Sequence, residues 1–356
     1  MIRLPVVPPD SGAFAISLRN MDAIPPEHRS AWTFAIGGET RATTRAPHPE
    51  RVIVELSNTC NLDCPMCRVG EHGVDLRRVM PLQRFASLAS QLFERARDVR
   101  LNGLGETTLV PGLDRYLDVL DAYPCHVELI TNGTGPLDIY RRLFVRGATV
   151  LVSWDASTAE TFERLRRPAK WSTLVPQLAA MGEAVEGTNG RLLLLFTLQP
   201  GTASHLPGVV ELAAKVGARG VIVNVAKLGD ERWIEKTIDA TRTAFAEAIE
   251  RAGNCAVELH LPDHLGAHEI EGTSVMQTPQ RRCDRPWREV VVRWDGTLQV
   301  CNMFNPYTYG HLDVTPFDRA WNGIFARAFR ELAHGEQAHP YCHGCYYLED
   351  VYERSR

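Results

Sequence analysis

The sequence predicts an α/β protein built on a parallel sheet. From Arg51 onward, apolar β-branched runs of strand length alternate with longer stretches at helical spacing. The alternation repeats six times, strand then helix, which argues for parallel strands joined by right-handed crossovers. After "CAVELHLP" the pattern stops, and two alternating strands joined by Asp295-Gly296 read as a hairpin.

Residues 1–50 are rich in proline and small polar residues, with only "AFAISL" and "WTFAIGG" suggesting strands, and read as an N-terminal extension over the barrel mouth. The α/β unit spans 51–255. Its strands are "RVIVEL", "DVRLNG", "HVELITNG", "ATVLVSWDA", "RLLLLFTLQ" and "GVIVNVA". Its helices are "PLQRFASLASQLFERA", "GLDRYLDVLDAY", "PLDIYRRLFVRG", a segment from Thr158 onward, "LPGVVELAAKVG" and a long one near Glu231 to Ala252. Residues 256–356 form a second, cysteine-rich domain. A chain of 356 residues fits this division, because single cores rarely grow much beyond roughly 250–300 residues.

A net charge of −4 argues against nucleic acid as a partner, since phosphate neutralisation needs a basic face. The dense basic stretch "RLRRPAKW", Arg164 to Trp171, reads as a solvated helix end. The start, "MIRLPVVPPDSG", lacks the pattern of a secretory signal, and no apolar run reaches about 18 residues. The expectation is a cytoplasmic enzyme with no membrane partner.

The nine cysteines fall into a tight triad, a spaced quartet and two singles, a grouping that suits metal ligation in a reducing compartment. The triad, Cys60, Cys64 and Cys67, has CxxxCxxC spacing in "ELSNTCNLDCPMCRVG", directly after the first strand. Soft thiolates suit iron–sulfur chemistry, and three of them leave one iron of a cubane open to a small molecule. The alternative is zinc, whose structural sites take four ligands in paired knuckles, whereas only three cysteines are local here.

At these residues the chain resembles the radical S-adenosylmethionine (SAM) superfamily, whose signature is this spacing with an apolar residue, here Met66, before the third cysteine. The resemblance implies a partial (β/α)6 TIM-like barrel, a SAM-binding 4Fe-4S cluster on the triad, and an external electron donor of flavodoxin or ferredoxin type. It also implies that SAM is cleaved to a 5′-deoxyadenosyl radical that abstracts hydrogen from substrate. In such barrels the chemistry sits at the C-terminal ends of the strands. "NGLGETTLVP" after strand two is similar to the family's glycine-glycine-glutamate turn, with Leu104 in place of a glycine. Gly103 and Gly105 then let backbone approach a ligand closely, and Glu106 offers a carboxylate to the ammonium of SAM. Asn132 in "TNG" after strand three reads equally as a turn residue and a SAM ligand. Ser153 and Asp155 in "VSWDAST" resemble the family's S-x-D segment; Ser153 is expected on the inner face toward the ribose, with Asp155 either beside it or capping the next helix. Thr197 and Gln199 are in phase at the end of strand five, suited to ribose or substrate hydroxyls.

Cys283, Cys301, Cys342 and Cys345 converge if the helical stretch "FDRAWNGIFARAFRELAHG" folds back on the hairpin. This resembles the SPASM/twitch extension in its shortened form, which implies an auxiliary 4Fe-4S cluster; zinc is the competing occupant. Cys125 and Cys255 are expected at the barrel bottom, leaving Cys255 and Asp155 as the candidates for a hydrogen donor or base. His260 and His264 are polar residues near a strand end, lining the substrate pocket. The expected function is hydrogen abstraction from a small polar substrate such as a sugar or aminocyclitol, giving dehydrogenation or epimerisation. The alternatives are decarboxylation of a sugar acid, peptide maturation, or a non-catalytic iron–sulfur or zinc scaffold.

Overall fold

A computed structural model of the chain describes residues 45–67, 78–226, 232–262, 264–265, 268–269, 285–301 and 308–334. The expected N-terminal strands, and the cysteines Cys283, Cys342 and Cys345, lie outside the described residues. Strand β1 (Arg51–Val54) is followed by α1 (Leu82–Leu92), β2 (Asp98–Leu101), α2 (Leu113–Asp121), β3 (His126–Thr131), α3 (Leu137–Val145) and β4 (Thr149–Ser153). The chain continues with α4 (Ala159–Leu165), α5 (Trp171–Val185), β5 (Arg191–Leu198), α6 (Leu206–Lys215), β6 (Gly220–Val225), α7 (Arg232–Cys255) and β7 (Glu258–His260). After a small pair, β8 (His264–Leu265) and β9 (His268–Glu269), come α8 (Arg285–Arg288), β10 (Glu289–Val292), β11 (Thr297–Gln299), β12 (Thr308–His311), α9 (Phe317–Trp321) and α10 (Ile324–His334).

Ten strands form one sheet in the order β12-β11-β10-β1-β2-β3-β4-β5-β6-β7. Every pairing from β10 through β7 is parallel, which gives a partial barrel with eight parallel strands. The six expected βα units form, and the sheet extends beyond them at both edges. Glu258–His260 adds a strand beyond β6, and β10 of the hairpin pairs with β1 in parallel register. A boundary at 255 therefore does not divide the sheet. The Asp295-Gly296 hairpin forms as expected, with Gly296 at φ +93° and the Asp295 carboxylate accepting from the Thr297 N–H at 2.9 Å.

Strand periodicity decides which side chains meet the helices. Val52, Val54, Val99, Leu101, Val127, Leu129, Val150 and Val152 pack in one core with Phe85, Leu117, Tyr140 and Phe144 of the helices. The opposite, inner face is divided in two. Along β3 to β6 it carries a small apolar cluster of Leu151, Leu193, Leu195 and Ile222, with Ile130 against it. Along β10 to β3 it carries buried charge: Arg51 lies 3.5 Å from Asp98 and 3.7 Å from Glu289, and Arg100 pairs with Glu128 at 2.7 Å. Charges taken out of water hold together only when so paired, and removing one partner of such a pair is strongly destabilising.

Candidate active site

The cysteine loop leaves the C-terminal end of β1 and is pinned by three neighbours. Ser57 bridges to Val79, its hydroxyl donates to the Arg78 carbonyl at 3.0 Å, and the Met80 N–H donates to Leu56 at 2.7 Å. On the β2 side, the Glu106 N–H donates to the Thr59 carbonyl at 2.7 Å. On the third side, the Asp63 N–H donates to the Arg167 carbonyl at 2.6 Å, and the Arg167 guanidinium reaches the Asp63 carboxylate at 3.1 Å.

The glycines after β2 do allow a close approach, but to protein. A Cβ on Gly103 would meet the Glu55 side chain at 2.5 Å, and one on Gly105 would meet the Thr59 carbonyl oxygen at 2.6 Å. Only glycine lets the β2 turn lie flat against the cysteine loop.

Glu106 is likewise enclosed by protein groups. It is 3% exposed and both its oxygens are engaged within the protein. Oε1 accepts from the Thr108 N–H (3.1 Å), the Thr108 hydroxyl (2.7 Å) and the Thr131 hydroxyl (2.7 Å), and Oε2 accepts from the Asn132 N–H (2.6 Å). Burial pushes its carboxyl above the usual range against these donors. The carboxylate expected to receive an ammonium ties the end of β3 to the β2 loop.

That tie aims Asn132 at the triad. Its Nδ2 donates to Asn61 at 2.8 Å and approaches the Cys60 sulfur at 3.8 Å, while its Oδ1 accepts from the Thr134 N–H and hydroxyl. Ser153 is half-buried on the inner face, in register with Leu195, as its phase predicts. Thr197 is half-buried on the same face. Gln199 lies just past β5, buried, with its Nε2 lacking a hydrogen-bond partner. Met66 is half-buried beside Cys67.

Asp155 does not cap the following helix. Thr158 caps α4, accepting from the Thr161 N–H at 3.5 Å. Asp155 is fully buried and accepts the Thr197 N–H at 2.8 Å, with its second oxygen 2.6 Å from the Arg166 guanidinium. The Arg166 charge acts on Cys64 of the triad. The basic stretch read as a solvated helix end therefore grips the cysteine loop through Arg166 and Arg167. Sequence reasoning missed both, and the available signal was four cations packed into the seven residues from Arg164 to Lys170. Trp154 helps to seat them: it stacks on Phe162 of α4 with ring centroids 4.3 Å apart and meets Trp171 of α5 at 5.2 Å.

The three cysteines are mutual neighbours. Burial pushes the Cys64 thiol up to about 11, and the guanidinium of Arg166 opposes this while charge on Cys67 and Cys60 adds to it. Burial likewise raises Cys60, with the Leu62 N–H pulling down and Glu106 and Cys67 pushing up. Buried thiols near one another become thiolates readily when metal supplies the positive charge. Among the described residues, no three Cys, His, Asp or Glu side chains converge as the ligands of a single ion do. A cubane has a different requirement, because each cysteine holds its own iron. The donor set fits the cluster better than it fits zinc.

Cys125 is buried at the start of β3, and Cys255 ends α7 just before β7. β7 runs parallel to β6, so Cys255 stands at the end of the sheet opposite the triad. That placement removes it as a hydrogen donor. Cys301 follows β11, half-buried against the core.

Residues 283–346 match the family model of the SPASM iron–sulfur cluster-binding domain, a segment that includes Cys283, Cys301, Cys342 and Cys345. No curated protein matches the chain. Among solved structures, SuiB of Streptococcus suis bound to S-adenosylmethionine shares the fold at TM-score 0.64 and 12% identity, over 80% of this chain and 68% of that one. SuiB bound to its precursor peptide SuiA aligns at TM-score 0.64 and 12% identity, over 87% and 71% of the two chains. The anSMEcpe structure with AdoMet and the Cp18Cys peptide aligns at TM-score 0.59 and 16% identity, over 84% and 87%. The chain thus has the partial-barrel fold of these SAM-bound proteins and carries a SPASM iron–sulfur module toward its C-terminal end.

Proposed function

We propose that the chain is a radical SAM enzyme of the SPASM type that abstracts hydrogen from a C–H bond of a small polar substrate. The observation that carries this reading is the placement of Cys60, Cys64 and Cys67 together on one loop at the C-terminal edge of the barrel, with Asn132 after β3 approaching Cys60 at 3.8 Å and the Arg166 charge beside Cys64. Reduced and with SAM bound, a cluster on such a triad supplies the electron that splits SAM into methionine and a hydrogen-abstracting 5′-deoxyadenosyl radical.

The chain's own residues position and enclose. Buried polar atoms without a partner among the described residues gather at the same strand ends: Asn58 Oδ1 and Thr59 Oγ1 after β1, Asn102 Oδ1 after β2 and Gln199 Nε2 after β5. A nucleoside with an amino-acid tail offers donors and acceptors for such groups, whose burial is otherwise unfavourable. Ser153, Thr197, Asn224 and His260, half-buried on the inner face near the ends of β4 to β7, supply a polar lining that supports a polar substrate.

Net oxidation is favoured over epimerisation. An epimerase must return hydrogen to the substrate, and Cys125 and Cys255 both lie at the far end of the barrel. A peptide substrate is the second reading, supported by the likeness to SuiB with its precursor peptide and to anSMEcpe with Cp18Cys. No helix among the described residues is long and apolar enough to cross a membrane.

Anaerobically reconstituted protein treated with dithionite and SAM is expected to form 5′-deoxyadenosine; none, even with substrate present, defeats the proposal. Turnover in deuterated water separates the outcomes. A product two hydrogens lighter supports oxidation, and solvent deuterium in an isomeric product supports epimerisation.

A further inference from the structure

A buried guanidinium stands beside the triad. Arg166, at the end of α4, keeps 12% of its side chain exposed, and the carbonyl of the next residue accepts the Asp63 N–H at 2.6 Å, which sets it against the cysteine loop beside Cys64. Asp155, fully buried, holds it at 2.6 Å and is itself fixed by the Thr197 N–H at 2.8 Å. An apolar pair of similar volume would fill this place with less desolvation, so the charges call for a reason beyond packing. Arg167 gives a contrast, since it is 54% exposed in its side chain and bonds Asp63.

Iron–sulfur potentials are set by net charge, by hydrogen bonds to the sulfurs and by exposure. A cluster gains negative charge on reduction, and a buried cation beside one of its thiolates stabilises the reduced form in a weakly screened site. We propose that Arg166 is a positioning residue that raises the reduction potential of the cluster on the triad through its buried charge beside Cys64, with Asp155 orienting the guanidinium and offsetting part of that charge. This rests on the reading of the triad as cluster ligands. It also explains why the basic stretch turns inward at Arg166 while its neighbours face solvent.

The test is an EPR-monitored redox titration of the anaerobically reconstituted full-length protein, following the signal that changes when SAM is added. Arg166→Gln is expected to lower that potential by about 59 mV, a tenfold change in a one-electron equilibrium. Arg166→Lys recovers most of the shift, and Arg167→Gln leaves the potential in place. An unchanged potential in an iron-replete Arg166→Gln protein overturns the assignment, as does an equal shift in Arg167→Gln. Should Arg166→Gln fail to hold iron, Asp155→Asn carries the test. It is expected to raise the potential, because the guanidinium is then unopposed; an unchanged or lower value overturns the assignment. A wild-type protein with no SAM-responsive signal removes the cluster reading and this assignment together, before any variant is compared.

Discussion

The α-carbon of Gly105 lies against the Thr59 backbone so closely that a Cβ there would sit 2.6 Å from the Thr59 carbonyl oxygen. That oxygen also accepts the Glu106 N–H, so the turn after β2 and the cysteine loop are locked as one unit. Gly105→Ala must push them apart. Overpacking of this kind costs about 1–3 kcal/mol, and iron bound per chain after reconstitution is expected to fall. Gly253, in α7 with nothing within 4 Å, is the control: Gly253→Ala is expected to gain about 0.5 kcal/mol with iron content unchanged. Chemical denaturation and iron analysis check both.

Glu106→Gln replaces an acceptor with a group whose NH2 faces the donors of Thr108, Thr131 or Asn132. Leaving buried donors unsatisfied costs about 1–3 kcal/mol each. The variant should unfold earlier and bind SAM less tightly, because Asn132 loses its anchor. Equilibrium binding that is unchanged while stability drops would separate Glu106 from the site.

The barrel interior predicts a pH effect. Burial pushes the Glu128 carboxyl up, but the guanidinium charges of Arg100 and Arg51 outweigh it and hold it below the usual range. A carboxyl depressed on folding contributes stability above the unfolded value of about 4.3, and that contribution is lost as pH falls through the folded value. Glu128→Gln should therefore be less stable than wild type at neutral pH and lose less on acidification below about 4.3. Denaturant midpoints across that range decide it. Arg100→Met, which leaves Glu128 buried without its closest partner, should cost about 3–5 kcal/mol at neutral pH.

Single cysteine replacements sort the thiols by place. Changing Cys60, Cys64 or Cys67 to alanine should abolish 5′-deoxyadenosine formation. Cys255→Ala, at the opposite end of the sheet, should retain it. Loss of activity in a folded, iron-replete Cys255→Ala protein would contradict this placement.

Much of the fold was legible because it is written in local order. The strand and helix runs stand within a few residues of their expected bounds, and the phase of Ser153 and Leu195 follows from period two. The place of β10 was hidden by its pairing with a strand more than two hundred residues earlier. The protein donors to Glu106 were not legible, because a carboxylate after a glycine turn reads the same whether its donors come from a ligand or from Thr131 and Asn132.

The sequence alone determined the alternation of strands and helices and the grouping of Cys60, Cys64 and Cys67, because both are encoded by spacing within one short segment. Tertiary structure alone decided what Arg166, Asp155, Gly105 and Glu106 do. Each acts through a partner brought near by the sheet, Cys64, the Thr197 backbone, the Thr59 backbone and β3 respectively, and burial leaves such groups only the partners the fold provides.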